Sequence, residues 1–294
     1  MEPSPSPNAA RQLVRNVLGL FKLRIGFVIM ITALAGYAVT PGSAASGAQL
    51  AVLALAVLVS SASAGAFNQY IEVDLDRLML RTRGRAFVTG ELPHRPAWLL
   101  LIASLLGLSV LAAWRATNAL AAFYVFLGAF FYAVVYTVWL KRRTWLNIVV
   151  GGLAGSFSVL AGAAAANPEL GTMPLFLALV LFLWTPPHFW SLAIANREDY
   201  AAAAIPMLPV VVGEARAAWA VFYSALALVA AALAPAWFGA GPLYLAAAVL
   251  GGGYFLIKAW HLARAPSRQA AMASFFASLV QLTLLLVAAM LDQL

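Results

Sequence analysis

Runs of about 18 to 22 apolar residues return from one end of this chain to the other, and that rhythm leaves few folds open. Each run is long enough to cross about 30 Å of hydrocarbon as a helix. Nine are legible, over residues 25–44, 48–69, 97–114, 119–140, 147–166, 173–194, 217–238, 243–262 and 270–291. Backbone groups in lipid must be satisfied internally, which permits helices or closed barrels, and these runs lack the two-residue alternation of a barrel. Ala, Gly and Ser recur within them, as expected where helices pack closely in a bilayer. With 64% hydrophobic and only 10% charged residues, no soluble domain of 294 residues is an alternative. The expectation is an all-α, polytopic membrane protein of about nine transmembrane helices, forming one domain over residues 1–294.

The formal charge of +8 raises the question of nucleic acid, but the distribution of that charge answers it. Of 18 Lys and Arg residues, only Arg115 falls in a loop that nine spans place outside. The others precede the first span or flank alternate loops. By the positive-inside rule the N-terminus is cytoplasmic and the C-terminus lies across the membrane, so the basic residues imply a lipid bilayer and no nucleic acid. Cysteine is absent, which removes disulfides and thiolate metal sites. Residues 1–10, rich in Pro and Ser, read as a disordered tail. The first apolar run is too long for a signal peptide, and no Arg-rich organellar presequence is evident, so a bacterial inner membrane is expected.

Two polar segments interrupt the hydrophobic rhythm, residues 70–96 and 195–216, four spans apart. That spacing suggests a duplicated bundle whose two charged loops close over one central cavity open to the cytoplasmic face. In the first segment Asn68, Glu72 and Asp76 stand at i, i+4 and i+8. On a helix each step turns about 40° and climbs about 6 Å, so the three share one face. Such a face suits a hard cation such as Mg²⁺, which takes few protein carboxylates and shares its shell with substrate phosphates. The plainer reading is solvated acid neutralising nearby Arg. The extension of the face into the apolar span through Asn68 favours a ligand face, because polar groups near a bilayer are costly without a function. Asp74 points about 200° away from Glu72 and is expected to pair with an Arg. Arg81 and Arg85, also four apart, are suited to a diphosphate, though both also fit a topology signal. Lys141–Arg143 and Lys22–Arg24 carry the same ambiguity, since basic side chains at span ends snorkel. His188 lies inside a span beside Pro186 and Pro187, which are expected to disrupt that helix. It is either a buried His bonded to a freed carbonyl or a contact to a porphyrin.

Several of these stretches together carry a resemblance. They are Asn68-Gln69-Tyr70-Ile71-Glu72-Val73-Asp74-Leu75-Asp76 with Arg81, Thr82, Arg85 and Val88-Thr89-Gly90; Tyr136-Thr137 with Leu140-Lys141-Arg142-Arg143-Thr144; and Pro187-His188-Phe189-Trp190 through Arg197, Asp199-Tyr200 and Ile205-Pro206-Met207-Leu208-Pro209. A weaker one is Lys22-Leu23-Arg24-Ile25. In these the chain resembles the membrane-embedded aromatic prenyltransferase superfamily and, within it, the protohaem IX farnesyltransferases (haem O synthases). The acid motif points only to the superfamily; the Lys-Arg-Arg-Thr and Asp-Tyr…Ile-Pro stretches narrow it to that branch. Departures are Glu72 where the family usually has Asp, Leu23 and Ala86 at usual prolines, and Ser156-Phe157-Ser158 in place of a Pro-Pro stretch.

The resemblance implies a Mg²⁺-dependent transfer of a farnesyl group from farnesyl diphosphate to a vinyl group of haem B, with addition of water. It implies Mg²⁺ on Asn68, Glu72 and Asp76 with Asp199 completing the site, and diphosphate on Arg81, Arg85, Lys141 and Arg197. It places haem against His188 and Arg24, and a downstream haem-modifying enzyme or terminal-oxidase assembly as recipient of the product. A quinone-precursor prenyltransferase would carry a second acid four residues after Asp199, where this chain has Ala203. A haem or anion transporter would need no aligned acid face.

Overall fold

The computed structural model describes residues 7–42 and 45–293, with side chains from Arg11 onward. Of the expected N-terminal tail, residues 1–6 lie outside the described residues, and residues 7–10 form the first turn of helix α1 (Pro7–Leu20). No strand occurs among the described residues.

Among the described residues eight helices are long and apolar enough to cross a membrane. They are α3 (Gly47–Ile71), α6 (Ala97–Ala116), α7 with its continuation (Ala119–Leu140), the pair α8–α9 (Asn147–Gly151 and Leu153–Ala166), α10 (Thr172–Ala195), α13 with its last turn (Glu214–Phe238), α14 (Pro242–Arg264) and α15 (Arg268–Leu291). A ninth candidate is the bent pair formed by α1 and α2 (Leu23–Ala38), which meet at 44° and reach the required length and apolarity only when taken together. Four short helices sit in the charged connections: α4 (Val73–Leu78) and α5 (Ala86–Thr89) after α3, and α11 (Arg197–Ala202) with α12 (Leu208–Val212) after α10. The two polar segments of the sequence therefore lie at the same end of the bundle. Helix starts follow local capping chemistry. Ser46 and Gln49 form a reciprocal capping box on α3, while Asn118 and Ser267 accept the free N–H groups opening α7 and α15.

Two features set the shape of the interior. Glycines bring α2 and α9 together: a side chain at Gly36 would collide with the Val159 carbonyl, and one at Gly162 with the Ala33 carbonyl. This is the small-residue contact that holds helices in lipid, where apolar burial alone gives no preference for one helix over lipid. The second feature is a widened coil. After Phe130 the helix continues to Leu140 with i→i−5 bonding, as in Lys141 N–H to the Tyr136 carbonyl at 2.9 Å. Such π-segments mark functional positions more often than chance, because the extra residue per turn re-aims the side chains that follow.

The disruption expected at Pro186 and Pro187 is not found; α10 runs unbroken through both. The prolines remove two backbone donors, but the helix is buried between α9, α13 and α15, whose packing holds it straight.

Candidate active site

The bundle encloses a cavity of about 530 Å³ whose upper wall is charged and whose lower walls are apolar. Its charged wall begins where α3 ends. The helix breaks at Glu72 and resumes as α4, yet Glu72 N–H still bonds the Asn68 carbonyl and Asp76 N–H the Glu72 carbonyl. The four-residue spacing thus survives the junction. Asn68, Glu72 and Asp76 all line the cavity, and all are buried, at 3%, 1% and 1% exposure.

Buried carboxylates need partners, and each of the three side chains has one cation. Lys22 Nζ donates to Asn68 Oδ1 at 2.7 Å, Lys141 Nζ lies 2.6 Å from both Glu72 oxygens, and Arg85 reaches Asp76 at 2.6 and 2.8 Å. Three donors from three separate elements converge on one helical face. The widened coil supplies two of the contacts: Thr137 Oγ1 accepts from Asn68 Nδ2 at 3.1 Å, and Lys141 ends that coil. Lys22 is held in the left-handed region at φ 48°, a conformation that costs energy for a residue with a Cβ. Its stem passes across Gly65, where an added methyl would meet it at 3.4 Å, and its ammonium also contacts Tyr132 OH at 3.2 Å. Burial pushes the Lys141 ammonium below its ordinary range, against the opposing pull of Glu72.

Asp74 turns away from this face and pairs with Arg142 through two 2.8 Å contacts at the surface, as its angular offset requires. The Arg142 hydrogen bond holds its carboxyl below the usual carboxylate range. Asp199 lies apart from the other three acids. Its oxygens accept from the Leu80 and Arg81 backbone N–H groups at 3.1 and 3.3 Å, and it is not among the residues lining the cavity. Arg81 does line it and reaches Tyr200 OH at 3.4 Å. Arg197 bonds the Pro209 carbonyl and stands 4.0 Å from Glu214, outside the cavity. Arg24 lines the cavity rim from the first turn of α2.

Deeper on the α10 and α15 side lies His188, stacked between Trp184 at 4.0 Å and Phe275 at 4.4 Å. Its Nδ1 meets Ser278 Oγ at 2.7 Å, and that hydroxyl already donates to the Phe275 carbonyl. In the tautomer with Nδ1 protonated, Ser278 Oγ accepts from Nδ1–H and the lone pair sits on Nε2.

The donor set fits a hard cation. Among the described residues no three carboxylates or imidazoles converge, but two buried carboxylates and an amide oxygen do share one face. Mg²⁺ takes one or two carboxylates and leaves the rest of its shell to water and phosphate. The position of Lys22 and the roles of Tyr132 and Thr137 were not evident from the sequence. The Tyr136-Thr137 and Lys-Arg-Arg-Thr stretches signalled that the end of this span matters, without showing that a wider coil aims it.

Comparison with known proteins places this architecture. The model of the UbiA prenyltransferase family matches residues 29–280. A Paramagnetospirillum magneticum protein named Protoheme IX farnesyltransferase 2 is 58% identical over 275 residues, covering 94% of this chain and 96% of its own. Protoheme IX farnesyltransferase 1 of the same organism is 43% identical, covering 95% and 98%. Among solved structures, a UbiA homologue from Archaeoglobus fulgidus bound to DMAPP and Mg²⁺ superposes with a TM-score of 0.73 at 18% identity, over 92% of this chain and 99% of that one. Fold, full-length match and family model agree: the chain is a multi-pass membrane enzyme belonging to the UbiA prenyltransferase family.

Proposed function

We propose that the protein transfers a farnesyl group from farnesyl diphosphate to a vinyl group of haem B, giving haem O and diphosphate. The observation that carries the reading is the matched set of three oxygen-bearing side chains and three cations at the head of an apolar cavity. The haem acceptor is supported by relatives that carry the farnesyltransferase name across nearly their full length.

In this reading Asn68, Glu72 and Asp76 hold Mg²⁺, which supplies Lewis-acid stabilisation of the diphosphate when bound. Lys22, Arg81, Arg85 and Lys141 bind the diphosphate oxygens and offset the charge that builds as the C1–O bond breaks. Asp199 positions Arg81 by fixing its backbone, and Arg197 holds the second polar segment onto α12. The allylic cation is attacked by the vinyl carbon, forming the new C–C bond. Water captures the cation left on the haem side chain and loses a proton, which gives the hydroxyethylfarnesyl group. His188 offers Nε2 to the haem iron, and Arg24 at the rim faces the propionates. The bundle's charged end lies on the cytoplasmic side of the inner membrane, as the distribution of Lys and Arg supports. The product passes to a haem-modifying enzyme or oxidase assembly.

Diphosphate release from farnesyl diphosphate tests the site. Release in Mg²⁺ that stops in chelator, and that falls about 100-fold or more in Asp76→Asn, is expected. Wild-type rates in Asp76→Asn would remove the ion face from the mechanism.

A further inference from the structure

The face of α3 that carries the ion-binding side chains does not stop at Asn68. It continues downward as Ala64, Ser61 and Val57, all lining the same cavity. From Asn68 to Val57 is eleven residues, or about 16 Å along the helix. An extended prenyl chain advances about 5 Å per isoprene unit, given carbon–carbon bonds near 1.5 Å. One helical turn of α3 therefore corresponds to one unit, and three units reach Val57.

Thr32, ten residues along α2 from Lys22 and so about 15 Å below it, reaches a similar depth in the cavity. Thr32 of α2 and Ser158 of α9 are hydrogen-bonded to each other across it, and Tyr124 of α7 stands beside them. One turn beyond Thr32 and Ser158, the Gly36 and Gly162 contacts press α2 and α9 together and leave no room between those two helices. The wall above the floor is built from small side chains, Ala64, Ser61, Gly128 and Gly155, which leave a narrow channel directly beneath the Lys22–Asn68 pair. The wider aromatic region around His188 lies on the opposite side, formed by α10 and α15.

We propose that this channel is a chain-length gauge: Val57, Tyr124 and the Thr32–Ser158 hydrogen bond form a floor that admits three isoprene units and excludes a fourth. The inference rests on the reading of the charged face as the diphosphate site and adds the specificity-determining residues beneath it.

The test is binding of geranyl, farnesyl and geranylgeranyl diphosphate to the full-length protein in nanodiscs, by calorimetry in Mg²⁺ without haem. Omitting the acceptor separates this claim from the identity of the acceptor. Wild type is expected to bind farnesyl diphosphate at least tenfold more tightly than geranylgeranyl diphosphate. Ser61→Leu, which fills the channel about two turns below Asn68, is expected to keep geranyl affinity and lose farnesyl affinity at least tenfold. Tyr124→Ala, which deepens the floor, is expected to gain geranylgeranyl affinity at least tenfold, and it reports from the opposite direction if Ser61→Leu folds poorly. Wild-type affinity ratios in both variants would overturn the gauge and indicate that the tail leaves sideways into lipid. Failure of the wild type to bind any of the three would overturn the diphosphate site itself.

Discussion

Replacing Lys141 by Met isolates the electrostatics of the site in one change. The stem is kept and the ammonium that lies 2.6 Å from both Glu72 oxygens is lost. Glu72 is 1% exposed, so its carboxylate cannot recruit bulk water in compensation. Removing one partner of a buried pair costs about 3–5 kcal/mol, since the other charge is left uncompensated. Arg85 and Lys22 remain in the same cavity wall, which places the expected loss near the lower figure. At about 3 kcal/mol, the melting temperature in chelator falls by about 6–12 °C. The orphaned carboxylate is then free for a cation. Mg²⁺ at about 100 times its dissociation constant restores about 2.7 kcal/mol. Wild type without diphosphate gains less, because Mg²⁺ must first displace the Lys141 ammonium from Glu72. The double variant Glu72→Gln/Lys141→Met removes both charges and is expected to melt several degrees above the single one. Thermal unfolding in detergent, with Mg²⁺ and with chelator, measures all three. A Lys141→Met protein that melts as wild type in chelator, with no Mg²⁺ response and no recovery in the double variant, would refute the buried pairing and the ion site built on it.

Three further outcomes follow from separate parts of the structure. Gly162→Val drives a branched side chain into the Ala33 carbonyl, so the α2–α9 contact must open; a loss of about 3 kcal/mol or more, or failure to fold, is expected in the same melting assay. His188→Ala is expected to abolish the shift of the haem absorbance band on binding while leaving farnesyl diphosphate affinity unchanged; an unaltered haem spectrum removes His188 from the haem site. Asp74→Asn is expected to cost less than about 1 kcal/mol, because its pair with Arg142 is solvated. The sign of its pH dependence is fixed by a carboxyl held below its ordinary value. The contribution is present above the unfolded carboxylate range and is lost as pH falls through the lower folded value, so wild type and Asp74→Asn converge in acid.

Much of this was legible in the residues, for identifiable reasons. Span lengths are set by bilayer thickness, so eight of the nine apolar runs became helices long enough to cross, and the first became the bent pair α1–α2, a ninth candidate. The Asn68, Glu72 and Asp76 face was readable because four-residue spacing survives a helix break when the i→i−4 bonds do. Asp74 left that face for the same geometric reason. Other features depend on partners distant in sequence. The widened coil before Lys141 reflects what Thr137 and Lys141 bond on α3, which no local pattern encodes. Lys22 is strained into the left-handed region by contacts 46 and 110 residues away. That the Asp199 oxygens accept from backbone N–H groups of the other polar segment was not legible, because this contact forms only when both loops meet. Pro186 and Pro187 carry a strong local signal for a break, and burial of α10 on several sides overrode it.

The most direct measurement is mass spectrometry of haem extracted after the purified protein has been incubated with haem B, farnesyl diphosphate and Mg²⁺. A Mg²⁺-dependent mass gain of one farnesyl group plus one water, absent in chelator and in Asp76→Asn, is the predicted result. Haem of unchanged mass, recovered while diphosphate is still released, would contradict the haem acceptor and point to a different aromatic substrate for the same site.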